Sequence, residues 1–238
     1  MRNDGRAADE MRKVKATLGF SKFAEGSCLI EVGDTVVLCN ASVEERVPPH
    51  VTSGGWITAE YSMLPRANRE RSKRDISKLK LAGRSAEIQR LIGRSLRCAV
   101  DMQLLGPRTI TVDCDVLQAD GGTRTASVTG GFIAMTLACR KLMEQGLIEK
   151  MPVRTYVSGI SAGIVRNETL LDLCYEEDSR ALVDLNCIMT AEGDIVELQA
   201  TGEGRPFTME EQKKLIALCR KGNAVLTQMQ RRCLGGLE

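Results

Sequence analysis

Three stretches of this sequence gather residues suited to work on phosphate esters. The first runs from Arg66 to Arg97 and holds 11 basic and three acidic side chains, a local excess of +8. Most charge runs are solvated helix faces. An excess of this size in a chain of net charge +2 favours a polyanion, held through counterion release. With four Phe, three Tyr and one Trp, base stacking cannot be widespread. Such a surface would hold backbone phosphates and not read bases. Arg66, Arg69, Arg71 and Arg74 are the candidate nucleic-acid contacts. Arg90, Arg94 and Arg97 suit an RNA path, but a protein interface or ion pairs to neighbouring acids together weigh more.

The second stretch is Gln118–Thr125, QADGGTRT, at the end of a predicted strand and the start of a predicted helix. Free N–H groups and the helix dipole make such a junction an anion site. Gly121 and Gly122 allow close backbone approach, and Arg124 adds a fork of donors. An ordinary tight turn is the simpler reading. The pattern is neither GxxxxGK[ST] nor GxGxxG, which disfavours a nucleoside-triphosphate loop.

The third stretch contains Asp172, Glu176, Glu177, Asp178 and Asp184. If Ser179–Val183 bends the chain between two strands, Asp178 and Asp184 face each other. Two close carboxylates repel unless a cation bridges them or a proton is shared. An oxygen pair suits Mg²⁺ or Mn²⁺, which keep waters and take further oxygens from phosphate. Taken alone, the segment reads more readily as a solvated acidic hairpin. Together the three stretches suggest metal-assisted phosphoryl transfer on a nucleic acid, without a Ser, Cys or His nucleophile.

Other chemistries are poorly supported. There is one histidine, His50, after Pro48-Pro49 in a predicted loop, so a nucleophile–base pair is disfavoured. Nine cysteines with no CxxC spacing argue against a zinc cluster or a disulfide framework. Most fall in apolar segments, where a thiol acts as a small hydrophobe, and that fits a reducing cytosol. No apolar stretch reaches the ~18 residues of a membrane span. The N-terminal MRNDGRAADEMRK lacks the apolar core of a secretory signal.

The positioning elements follow from periodicity. Residues 1–25 are polar and carry no assigned element. Ser27–Val32 and Thr35–Ala41 around Gly33-Asp34 predict a hairpin, and Trp56–Met63 a further strand. Residues 85–102 have helical period, with Ile88, Ile92, Leu96 and Ala99 on one face and Arg84, Glu87, Arg90, Arg94 and Arg97 on another. Thr109–Gln118 alternates as a half-buried strand. Thr123–Met143 reads as a buried helix. Thr155–Val165, Thr169–Tyr175, Ala181–Thr190 and Ile195–Thr201 read as strands. Thr208 and Glu211 form a capping box that opens a helix towards Arg232. Strands-then-helix occurs twice with no composition break. The reading is one α/β (α+β) domain over 1–238, built from two halves, about 1–145 and 146–238.

The stretches MRNDGR, GFSKFAEGSCLIEVGDTVVLCNASVEE, GWITAEYSMLPRA, GRSAEIQRLIGRSLR, DCDVLQADGGTRTASVTG and LLDLCYEEDSRALVDLN resemble the bacterial ribonuclease PH family in order and spacing, from about residue 1 to about residue 202. The resemblance implies a duplicated α/β unit of the ribosomal-protein-S5-domain-2-like kind, assembled as a hexamer, a trimer of dimers. It implies a cytoplasmic phosphorolytic 3′-to-5′ exoribonuclease, a nucleotidyltransferase that trims the 3′ ends of precursor tRNA and of rRNA. Inorganic phosphate would be the co-substrate and nucleoside diphosphates the products. It places phosphate on Arg84, Gly122, Thr123 and Arg124, and Mg²⁺ (or Mn²⁺) on the catalytic pair Asp178 and Asp184. It places RNA on Arg66. Three places depart from the family pattern: the short HVTSGGW loop, Ser62 in place of a glycine, and the highly charged RANRERSKRD. The contrasting reading is a non-catalytic RNA-binding scaffold subunit of an RNA-degrading ring.

Overall fold

The computed structural model describes residues 2–74 and 82–237; residues 75–81 of the basic run, with Lys78 and Lys80, lie outside that set. Apolar alternation builds the first sheet. The hairpin forms as expected from β2 (Gly26–Val32) and β3 (Thr35–Glu44), with Gly33 in the left-handed region that the turn requires. The strands β4 (Trp56–Met63) and β5 (Thr109–Gln118) have the predicted bounds. The polar N-terminal stretch contains a strand that its composition does not announce. This β1 (Val14–Leu18) pairs antiparallel with β2, so it draws on a partner strand and not on its own pattern. The order is β1-β2-β3-β5-β4, with β4 parallel to β5.

The second sheet holds β6 (Val157–Val165), β7 (Glu168–Leu171), β8 (Val183–Thr190) and β9 (Ile195–Gly202), all antiparallel in the order β7-β6-β8-β9. Five helices complete the described chain. They are α1 (Gly83–Cys98), the one-turn α2 (Met102–Leu105), α3 (Thr123–Glu144), the one-turn α4 (Tyr175–Asp178) and α5 (Met209–Leu234). The predicted apolar face of α1 is buried in full, including Ala99 just past its end. The Thr208/Glu211 capping box opens α5 as expected. Asp101 caps α2 by accepting from the N–H groups of Gln103 and Leu104.

One helix organises both sheets. α3 lies against β2 and β3 on one side and β6 on the other. A helix covered on most sides must be apolar on most sides, or satisfy its own polar groups. Ser127, Thr129 and Thr136 do the latter: each hydroxyl donates to the carbonyl four residues earlier. β6, enclosed by α3 and α5, is buried at all nine positions. All nine cysteines are free thiols, six of them buried. Burial pushes the thiols of Cys28 and Cys139 up to about 12, which makes them inert hydrophobes. His50 lies in a loop, edge-on to the Trp56 ring.

One local expectation is corrected. The strand predicted through Tyr175 stops at Leu171, and the chain turns at Asp172, a non-glycine residue at φ 54. It then forms α4, closed by the Glu177 carboxylate accepting from the N–H of Cys174. Asp178 therefore ends a helical turn and does not face Asp184 across a strand–strand bend. The cause is non-local, since Asp172 is held by arginines from the N-terminus.

The outer face of the first sheet carries Glu60, Asp113 and Asp115. Desolvation, then the charges of Glu60 and Asp115, push the Asp113 carboxyl up to about 6. Its folded pKa thus exceeds the unfolded value, so the folded state binds the extra proton between about pH 4 and 6. The penalty is fully present above pH 6 and fades as pH falls through that window. Asp113→Asn should raise the melting temperature at pH 7 by only about 2–4 °C, because water screens this half-buried group, and leave it unchanged near pH 4. Thermal melts at the two pH values check this.

Candidate active site

The N-terminus of α3 forms one wall of a cleft of about 890 Å³. Gly122, the residue before the helix, has φ 65; the first turn has no side-chain cap and no acidic residue. Its N–H groups and the positive end of the helix are therefore available to an anion. Gly121, at φ 77, lies against the backbone of residues 173–175. A Cβ there would sit 2.5 Å from the Leu173 carbonyl oxygen, so no other residue fits. Thr123 is buried and shares a hydrogen bond of 2.8 Å with the Tyr61 hydroxyl.

Arg124 projects from the first turn of α3 into the cleft wall. Its Nη1 donates to Gln199 Oε1 and reaches Glu87 at 3.5 Å. Gln199 in turn donates to Glu87 at 2.7 Å. This chain of contacts joins α3, β9 and α1, so it ties the two sheets together beside the anion wall. Arg84, the second residue of α1, is exposed and lines the same cleft.

The facing wall carries Asp178 and Asp184. Along β8, Val183, Leu185 and Cys187 enter the core, so the pleat turns Asp184 and Asn186 the other way, into the cleft. Asn186 donates to Asp184 Oδ2 at 3.0 Å. The other oxygen, Oδ1, is buried with no hydrogen-bond partner. Desolvation first, then the charge of Asp178, pushes the Asp184 carboxyl up to about 6, against the pull of Arg124 and Asn186. Burial also raises Asp178, opposed chiefly by Arg84. Among the described residues no group of three His, Cys, Asp or Glu side chains is gathered for a metal. A two-carboxylate pair with an orphaned buried oxygen fits Mg²⁺ or Mn²⁺, which complete their shells with water and phosphate.

All six expected phosphate and carboxylate residues thus line one cleft. Arg66, Arg69, Arg71 and Arg74 do not line it; each is exposed on the segment that follows β4. Arg94 forms a bidentate ion pair with Glu197. Arg97 lies 4.3 Å from the Trp56 ring centre and donates to the Ile57 carbonyl. The Arg94 pair is in line with the ion-pair alternative; Arg97 is engaged within the chain instead by the Trp56 ring and a backbone carbonyl. Asn186, Gln199, Ser161 and Glu203 also line the cleft, and sequence reasoning did not single them out. Asn186, two residues after Asp184 on a strand, was accessible from the pleat alone. The other three were not.

Residues 10–141 match the 3′ exoribonuclease family, domain 1, and residues 155–222 match domain 2 of that family. The chain belongs to the 3′ exoribonuclease family. Among its relatives is Ribonuclease PH of Bacillus velezensis, 56% identical over 238 residues, covering 99% of this chain and 97% of the relative. The solved exosome of Archaeoglobus fulgidus with RNA bound to the active site is 25% identical and covers 95% of this chain and 91% of its own, with a TM-score of 0.82. Rice Rrp46 is 16% identical, covers 98% of this chain and 100% of its own, and has a TM-score of 0.80. That likeness concerns the fold.

Asp184→Asn should hold or raise the melting temperature at pH 7, because it removes a desolvated charge near Asp178, while abolishing most turnover. Melting curves beside an activity assay test this. A clear drop in melting temperature would mean that the ionised carboxylate is structurally paired.

Proposed function

We propose that this chain is a phosphorolytic 3′-to-5′ exoribonuclease that trims precursor tRNA, and rRNA, at the 3′ end. The observation that carries the reading is one cleft with an uncapped helix N-terminus on one wall and a carboxylate pair on the other. The 56% identity to a relative named Ribonuclease PH supports it. A hydrolase uses water as nucleophile and needs no site for a second phosphate. An anion wall of Arg84, Gly122, Thr123 and Arg124 suits inorganic phosphate.

In this reading the first-turn N–H groups and the Arg124 guanidinium hold phosphate, with Arg84 on its outer side. Phosphate is ionised at neutral pH, so it needs no strong general base. One of its oxygens bonds to the last phosphodiester phosphorus, and the bond from that phosphorus to the 3′ oxygen of the preceding nucleotide breaks. The products are a nucleoside diphosphate and an RNA shorter by one residue, whose 3′ oxygen takes up a proton. Asp178 and Asp184 would hold Mg²⁺ (or Mn²⁺). When bound, the ion would neutralise charge on the phosphoryl group and screen the approach of two anions. Asn186 fixes the Asp184 carboxylate from the second-sheet side.

The exposed Arg66, Arg69, Arg71 and Arg74 would hold RNA phosphates outside the cleft. The site needs both halves, 1–145 and 146–238, so we treat them as one functional domain. We expect a hexamer, a trimer of dimers, as the resemblance implies; solved neighbours of the same fold include the archaeal exosome core. We assign the work to the cytoplasm, where nine free thiols stay reduced. Among the described residues no helix is long and apolar enough to cross a membrane.

The test is a tRNA bearing a short 3′ extension, incubated with protein and Mg²⁺, with and without inorganic phosphate. Nucleoside diphosphates released only with phosphate are expected. Arg124→Ala should raise the phosphate KM at least about tenfold, the loss of one charge-assisted contact. Monophosphates released without phosphate would mean hydrolysis. RNA binding without any release would mean the scaffold reading.

A further inference from the structure

The cleft has two walls from distant parts of the chain, and a reaction between two anions depends on their spacing. Arg12, at the entry to β1, lies behind both walls. Its side chain is 6% exposed. Nε and Nη2 donate to the two carboxylate oxygens of Asp172 at 3.0 and 2.7 Å. The Arg12 backbone N–H donates to the same carboxylate at 2.8 Å. The remaining arm, Nη1, donates to the Asp120 carbonyl, and the Asp120 carboxylate lies 3.6 Å away.

Asp120 opens the loop that carries Gly122, Thr123 and Arg124. Asp172 opens the turn that leads into α4 and Asp178. The two loops also meet directly: Asp120 Oδ1 accepts from the N–H of Tyr175 at 3.3 Å, and Gly121 touches the 173–175 backbone. Arg2 and Arg6 grip the second loop as well. Arg2 forks onto Glu177 at 2.7 and 2.6 Å and donates to the Leu171 and Asp172 carbonyls. Arg6 donates to the Asp172 carbonyl. Arg12 differs because its one rigid plane reaches both loops.

We propose that Arg12 is a positioning residue that sets the distance between the anion wall and the carboxylate pair by clamping Asp120 and Asp172 in one guanidinium plane. The inference rests on the reading of the cleft given above. Lysine carries the same charge but has no planar fork, so it can hold Asp172 or Asp120 and not both in register. Asp172 adopts a left-handed conformation that asparagine also tolerates, so Asp172→Asn weakens the clamp without forcing the backbone. Arg12 is also one of the cations that hold down the Asp178 carboxyl, which agrees with its place behind that wall.

Full-length Arg12→Lys and Asp172→Asn are compared with the unaltered chain. Inorganic phosphate binding is measured by calorimetry, Mn²⁺ binding by electron paramagnetic resonance, and folding by circular dichroism. The phosphate KM and kcat are measured separately. Both variants are expected to stay folded at the assay temperature and to bind phosphate and Mn²⁺ each at least about tenfold more weakly. The KM should rise and kcat should fall together. If either variant melts at a lower temperature but, while folded, keeps both affinities and the phosphate KM within twofold, Arg12 is merely structural and the proposal is overturned. Should Arg12→Lys fail to fold, Asp172→Asn decides alone by the same criteria. If the unaltered chain binds neither phosphate nor Mn²⁺, the reading of the cleft falls, and the positioning role with it.

Discussion

The uncapped N-terminus of α3 is the constraint on which the rest of the molecule depends. This helix runs between two sheets, so its first turn emerges where both halves of the chain meet. A buried helix end without a cap is costly unless something satisfies its N–H groups. Asp101 caps α2, and Thr208 with Glu211 caps α5, whereas α1, whose Arg84 lines the same cleft, starts without a side-chain cap, as α3 does. At α3 the cap position is a glycine at φ 65, which leaves the donors to whatever enters the cleft. The fold thus keeps uncapped backbone donors at the point that both sheets can reach, where the proposed phosphate site lies.

The opposite wall stores electrostatic tension of the other sign. Asp178 and Asp184 are both raised by burial, and Asp184 keeps a buried oxygen without a partner. Stability alone would replace one of these carboxylates, since unpaired buried charge destabilises a fold. Their retention beside Arg84 and Arg124 is understandable if a cation and an anion share the cleft. The reaction brings two phosphates together, and charge of both signs on the walls is what such an encounter needs. The N-terminal arginines sit behind this arrangement, held by Asp172, Glu177 and backbone carbonyls, with Arg6 Nη2 buried 3.6 Å from Glu177 and without a hydrogen-bond partner.

Much of the scaffold was legible because it is local. The alternation of Ile110, Val112, Cys114 and Val116 gave the bounds of β5. The spacing of Ile88, Ile92 and Leu96 gave the face of α1. The site residues Gly122, Arg124, Asp178 and Asp184 stood out by type, and the resemblance to a family added Arg84 and Thr123. What escaped was long-range. β1 exists because β2 offers it a partner, and α4 exists because Asp172 is pinned by Arg12, 160 positions away in the chain. Gln199 faces Arg124 across 75 positions. Such contacts have no period, and only the folded chain reveals them.

A crystal grown with Mn²⁺ and inorganic phosphate would test the central claim most directly. The account predicts an anomalous manganese peak bound by Asp178 and Asp184. It also predicts a phosphate within hydrogen-bond distance of the first-turn N–H groups of α3 and of Arg124. Manganese bound elsewhere, or phosphate held only by surface arginines such as Arg66 to Arg74, would contradict it.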